Sequence, residues 1–179
     1  MFLLAPIAAF AAQIDVLDVE VGRPSFGVVE GVVDVPLAEA VRVVMDCAGA
    51  DGWFPDLRDS VVVSEIDGVV RCSGRTDLPW PVTDRVWQID SHVEDRGDGE
   101  VWVPFALVEG SGNVTEMHGS YLLTALPDGR AHVRYEATVD IGFWIPDPLA
   151  QWATRRVLPA ILDGMEQAWS SEVTLVAGL

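Results

Sequence analysis

The run Asp140-Ile-Gly-Phe-Trp-Ile-Pro-Asp-Pro-Leu149 is where a strand pattern stops and a helix pattern starts, and it constrains the fold more than any other stretch. Asp147 is placed to act as a helix N-cap, its carboxylate accepting an orphan N–H. Pro148 suits the first helical position, where no donor is lost. Beyond Leu149 the apolar residues fall at Trp152, Ala153, Val157, Ile161, Met165, Ala168 and Trp169. Those steps of three and four draw one stripe along a helix. Continued to about Thr174, the helix would be roughly 40 Å long at 1.5 Å per residue. Pro159 inside it removes one backbone hydrogen bond and marks a kink or hinge. A stripe that long and that aromatic needs a long concave surface to cover it, and the strands upstream are the part of the chain able to supply one.

Strand patterns occupy 26–35, 60–65, 69–76, 83–93, 100–108, 114–126 and 131–141. Between the first two, Pro36 opens a helix whose stripe is Leu37, Ala40, Val41, Val44 and Met45. Trp53-Phe54-Pro55-Asp56-Leu57 reads as a second, short helical turn. Asp67-Gly68 is a hairpin dipeptide. The last hairpin can be specified more closely. Its apolar residues sit at odd positions on both arms: Tyr121, Leu123 and Ala125, then Val133, Tyr135, Ala137 and Val139. Opposed residues share a face, so both arms bury their odd positions only if paired numbers sum to an even value. The three-residue loop Pro127-Asp128-Gly129 gives that, with Gly129 in the left-handed position. His118 then lies opposite Thr138 and His132 opposite Thr124. The even positions Glu116, His118, Ser120, Thr124, His132, Arg134 and Glu136 face water. The strands are long for a globular domain, and their reach matches the helix. An antiparallel sheet with one apolar face, curled around the terminal helix, covers both, an α+β fold with two short helices between the first two strands.

The chain has 179 residues, half of them hydrophobic and seven of them Trp, enough for one domain with a substantial core. Its net charge of −17 repels nucleic acid and anionic membrane surfaces. The first twelve residues, MFLLAPIAAFAA, read as a signal peptide, with Ala9-Phe10-Ala11 as a small-x-small cleavage site before Ala12, although no Lys or Arg precedes the apolar run. If that signal operates the protein is exported, periplasmic or secreted; otherwise it is cytoplasmic. The run is too short to span a membrane, and no other stretch is long enough. Residues 13–25 form a polar lead-in, and 26–176 the domain. Cys47 and Cys72 pair only in an oxidising compartment; two isolated cysteines are more often buried thiols.

The order of elements, and three motifs, resemble the helix-grip fold of the START-like superfamily, also called SRPBCC or Bet v 1-like. Val35-Pro36 begins the first helix where such domains often have Ala-Pro. Trp80-Pro81-Val82-Thr83-Asp84-Arg85 is similar to a P-x-S-D-R-D stretch, and Asp140-Ile-Gly142 with Ile145-Pro146 to the D-x-G-G-x-I-P lead into the final helix. Gly119-x-Tyr121 sits where Gly-x-Trp is common. The likeness spans roughly residues 26–169. It departs from the pattern at Val86-Trp87, which replaces Asp-Phe, at Phe143, which replaces a Gly, and at Gln88-Ile89-Asp90-Ser91, where some members carry a buried Arg. The resemblance implies a hollow between sheet and helix that holds a hydrophobic molecule, often a lipid. The candidate lining is Trp87, Ile89, Phe105, Leu107, Tyr121, Leu123, Tyr135 and Val139 from the sheet, and Trp152, Ile161 and Met165 from the helix; any one of these is as readily a core residue.

Catalytic signatures are missing from the sequence. His118 and His132 are several residues apart on a wet face and do not make a metal pair. Gly110-Ser111-Gly112 lacks the strand–turn–helix context of a nucleophile elbow. Cys47 and Cys72 lack a C-x-x-C spacing. Asp84 and Arg85 read as structural, Asp84 capping the corner and Arg85 tying strand to helix. No cofactor or metal is expected. The expected function is non-enzymatic binding or transport of a hydrophobic small molecule by a monomer, with at most transient membrane contact. A cyclase- or aromatase-like enzyme would need an acid or base inside the hollow, and Tyr121, Tyr135 and Arg85 are the polar groups available. A third alternative is an interaction domain with a filled core.

Overall fold

The computed structural model describes residues 13–17, 24–78, 80, 82–142 and 147–177; at 13–17, 147–154 and 171–177 only the backbone is described. The elements run β1 (Gln13–Leu17), β2 (Ser25–Val33), α1 (Leu37–Met45), a 3-10 turn (Ala50–Gly52), β3 (Leu57–Ile66), β4 (Val69–Thr76), β5 (Arg85–Ser91), β6 (Glu94–Gly97), β7 (Glu100–Leu107), β8 (Glu116–Ala125), β9 (Ala131–Asp140) and α2 (Asp147–Ala177). Every strand pair is antiparallel. The sheet order is β1-β2-β9-β8-β7-β5-β4-β3, with β6 paired to β7 off that path. The sheet is curved and carries α2 on its apolar face, as the sequence predicts.

The β8–β9 hairpin has the expected register. Tyr121 lies opposite Tyr135, His118 opposite Thr138 and Thr124 opposite His132. Gly129 closes the loop at φ 88°, and the Leu126 N–H donates to the Arg130 carbonyl at 2.8 Å. Asp67 and Gly68 both take positive φ, as a two-residue hairpin turn requires. Ser120 departs from expectation. It lies on the outer face but is buried, because its cross-strand neighbours Pro104 and Glu136 cover it, and its hydroxyl donates to Glu136 Oε1 at 3.5 Å.

Three further differences have local causes. Gln13–Leu17, in the stretch read as a lead-in, pairs with β2 and extends the sheet. The single strand expected at 83–93 is interrupted after Ser91. The register of β5 and β6 on β7 would put His92 opposite Pro104, which has no N–H to give a ladder. The second short helix is also displaced. Its turn forms at Ala50–Gly52, and Asp56 at φ 57° turns the chain so that Leu57 already belongs to β3.

Helix α2 has 31 residues, about 46 Å of helix, with Pro159 inside it. Ile161 and Met165 are fully buried, as their place in the stripe predicts. Leu158 and Leu162 are buried with them, so the apolar face is wider than the stripe. They pack against Val29, Val33, Val103, Leu123 and Val133 of the sheet. Gly164 lets the helix approach the Trp53 carbonyl closely; a Cβ there would collide with that backbone. Cys47, just after α1, is bonded to Cys72 on β4, with their Cα atoms 5.8 Å apart. The paired state therefore replaces the buried thiols of the sequence reading.

Candidate functional site: an apolar hollow beside the packed core

Sheet and helix meet in two different ways along their length. Around Ile161, Leu162 and Met165 their side chains are buried in one apolar cluster. Beside that plug a hollow of about 250 Å³ remains. Of the α2 side chains described, Val157 alone reaches it; Trp152 lies outside the side chains described. The sheet supplies Trp87 and Ile89 from β5, Val103 and Phe105 from β7, Met117 and Tyr121 from β8, and Tyr135 and Val139 from β9. The rest of the wall comes from the α1–β3 connection, Trp53, Phe54 and the Cys47–Cys72 bond, and from Leu57, Val114 and Ile141.

Six of the candidate lining residues are thus brought together: Trp87, Ile89, Phe105, Tyr121, Tyr135 and Val139. Leu123, Ile161 and Met165 are fully buried in the plug instead, and Leu107 packs behind Trp87 in a smaller cluster with Leu57 and Val114. The sequence reading overlooked Trp53, Phe54, Val103 and Met117 as wall residues. Trp53 and Phe54 follow a glycine in a connection, and nothing in periodicity tells which way a loop aromatic turns.

The wall is mostly aromatic and aliphatic, with few polar groups. The Phe105 and Tyr135 rings stack with centroids 6.0 Å apart and 14° between planes, and Tyr121 lies 4.8 Å from Tyr135. Neither tyrosine hydroxyl has a hydrogen-bond partner among the described residues. Burial pushes the Tyr135 phenol well above its ordinary value. Burial, and then the neighbouring Tyr135, do the same to Tyr121. Both are therefore neutral hydrogen-bond donors at any physiological pH. The Trp87 indole N–H donates to Thr76 Oγ1 at 3.0 Å.

The corner motifs hold the rim. Asp84 accepts the Leu78 N–H at 3.3 Å and an Arg75 N–H at 3.2 Å, which fixes the turn into β5. Asp84 and Arg85 make no side-chain ion pair. Arg85 ties the start of β5 to the end of β9 rather than to the helix the sequence reading expected, donating from Nε to the Ile141 carbonyl at 2.9 Å. Asp140 accepts the Gly142 N–H at 2.8 Å, and Gly142 sits at φ 70° against Thr115, where a Cβ would crowd the threonine hydroxyl. Pro146 lies outside the described residues. No group of three His, Cys, Asp or Glu side chains among the described residues is placed to hold a metal. His118 and His132 are on the outer face of β8 and β9.

No family model and no curated protein matches the sequence. Solved structures do. A STAR-related lipid transfer protein from Xanthomonas axonopodis matches with a TM-score of 0.76 at 20% identity, over 93% of this chain and 97% of that one. Human StAR-related lipid transfer protein 5 matches with a TM-score of 0.67 at 14% identity, over 91% and 87%. The Zhui aromatase/cyclase from a Streptomyces species matches with a TM-score of 0.66 at 15% identity, over 83% and 94%. At such identities the likeness is one of architecture: this chain has the helix-grip fold of the START-like, SRPBCC superfamily.

Proposed function

We propose that the domain binds a hydrophobic small molecule, a lipid or a compound of similar character, in the hollow between sheet and α2, and carries it unchanged. The observation that carries this reading is the apolar hollow of about 250 Å³ directly beside the buried plug. An empty void forfeits packing at about 24 cal/mol per Å³, several kcal/mol here, and an apolar guest restores those contacts. Two of the matched structures are lipid transfer proteins, which agrees with it.

The protein should retain a lipid when purified gently, as read by native mass spectrometry, and should bind fluorescent fatty acids or dehydroergosterol. Val103 lines the hollow, and Val103→Trp should fill it and abolish binding while the circular dichroism spectrum is kept. An empty protein that takes up neither class of probe would remove this function.

A second reading, an enzyme of the aromatase/cyclase kind, is favoured by one observation: Tyr121, Tyr135 and Arg85 all line the same hollow. These groups offer hydrogen bonds to a developing negative charge. Among the described residues no carboxylate or imidazole lines the hollow to act as a base, so binding is the better-supported function.

The domain is read as a monomer that touches membranes transiently; no described helix is long and apolar enough to cross one. Export belongs to the same proposal, and the Cys47–Cys72 bond supports it. A mature N terminus at Ala12 in the exported fraction, found by intact mass, would establish it; a full-length cytoplasmic protein would refute it.

A further inference from the structure

Among the described residues the wall of the hollow carries one charge. Arg85 opens β5, is 7% exposed, and is the sole charged residue in the wall among the described residues. Its Nε donates to the Ile141 carbonyl at 2.9 Å. Its Nη1 donates to the Thr83 carbonyl at 2.7 Å, to Thr83 Oγ1 at 3.0 Å and, more weakly, to the Asp84 carbonyl at 3.4 Å. Among the described residues nothing accepts from Nη2. The carboxylates of the two corner motifs are already engaged, Asp84 with Arg75 and the Leu78 N–H, Asp140 with the Gly142 N–H. Arginine is almost never fully buried unless paired, because a guanidinium taken out of water without a counter-ion costs several kcal/mol. Holding β9 to β5 accounts for Nε and Nη1. It does not account for a positive charge facing an apolar void with one arm of its fork unused.

We infer that Arg85 is the anchor for a ligand's charged head, and that the hollow takes a single-chain carboxylic acid, its carboxylate on Arg85 Nη2 and its tail against Phe105, Tyr121 and Tyr135. This rests on the reading of the hollow as a binding site and names the ligand class. Size and charge select the class. A hollow of about 250 Å³ is smaller than the roughly 300–1,000 Å³ of drug-sized ligand pockets, which leaves no room for two acyl chains. One guanidinium neutralises one negative charge. A carboxylate carries one, whereas a phosphate monoester carries about 1.5 to 2 and would leave the excess buried in an acidic protein.

The test is displacement of cis-parinaric acid from the full domain by dodecanoic acid, methyl dodecanoate and dodecyl phosphate. Dodecanoate should bind at least about tenfold more tightly than its methyl ester, as expected for a desolvated charge-assisted pair. It should also outcompete dodecyl phosphate. Arg85→Gln should abolish the preference for acid over ester. Equal affinity for acid and ester in the unaltered protein overturns the assignment and needs no variant, so it stands even if Arg85→Gln fails to fold. Tighter binding of the phosphate, or an acid preference that survives in Arg85→Gln, overturns it too. If the methyl ester binds and the acid gains nothing, the Arg85 anchor fails but the binding function stands. If acid and ester both fail to displace, and cis-parinaric acid itself does not bind, both fail.

Discussion

Tyr121 and Tyr135 are the clearest case of residues whose chemistry is set by position. Their odd numbering on facing strands points both rings inward, and the register brings them opposite each other. Once inside, taken out of water by burial, they resist ionisation. An acid whose folded-state value is raised contributes stability below its unfolded value, near 10 for tyrosine, and loses it as pH climbs toward the folded value. Stability should therefore fall by about 1.4 kcal/mol per pH unit for each tyrosine above pH 10. Absorbance at 295 nm should show both phenols titrating only as the protein unfolds. Ionisation of either near pH 10 in the native state would contradict the burial described here. Tyr135→Phe should remove this dependence for one residue.

The elements show how far periodicity carries. The stripe on α2 identified Ile161 and Met165, and alternation on β8 and β9 fixed a register to the residue. Both succeed because a regular element repeats its geometry and one face has to be buried. Leu158 and Leu162 escaped because a helix surrounded by sheet and α1 buries more than one stripe. The interruption between β5 and β6 depends on a proline across the sheet, and the wall positions of Trp53 and Phe54 depend on how a connection folds back; neither leaves a local pattern. The division of α2 into a packed part and a part over the hollow has an energetic signature. Ile161→Ala should cost about 2–5 kcal/mol in urea unfolding, and Val157→Ala under about 1 kcal/mol, because the second side chain borders space that is already empty. Equal costs would mean that no such division exists.

For the whole molecule, the legible part was the architecture and the missing part was the covalent link across it. Two cysteines 25 residues apart carry no statement of whether they pair; that depends on α1 ending beside β4. The bond closes a loop that contains the α1–β3 connection and its wall aromatics. Its reduction should lower stability by about 3 kcal/mol, and unfolding without reductant should expose no thiol to alkylation. Free thiols in the oxidised, unfolded protein would refute the pairing.

The plug of Leu123, Ile161 and Met165 next to Val103 has a consequence for selectivity. It is a fixed floor, so the depth available to a guest is measured from that floor to the rim rather than set by a flexible end. Under the proposed function the floor acts as a ruler, and trimming it with Val103→Ala should move the preferred tail toward greater length, read by competition between acids of increasing chain length, while the head stays at the rim.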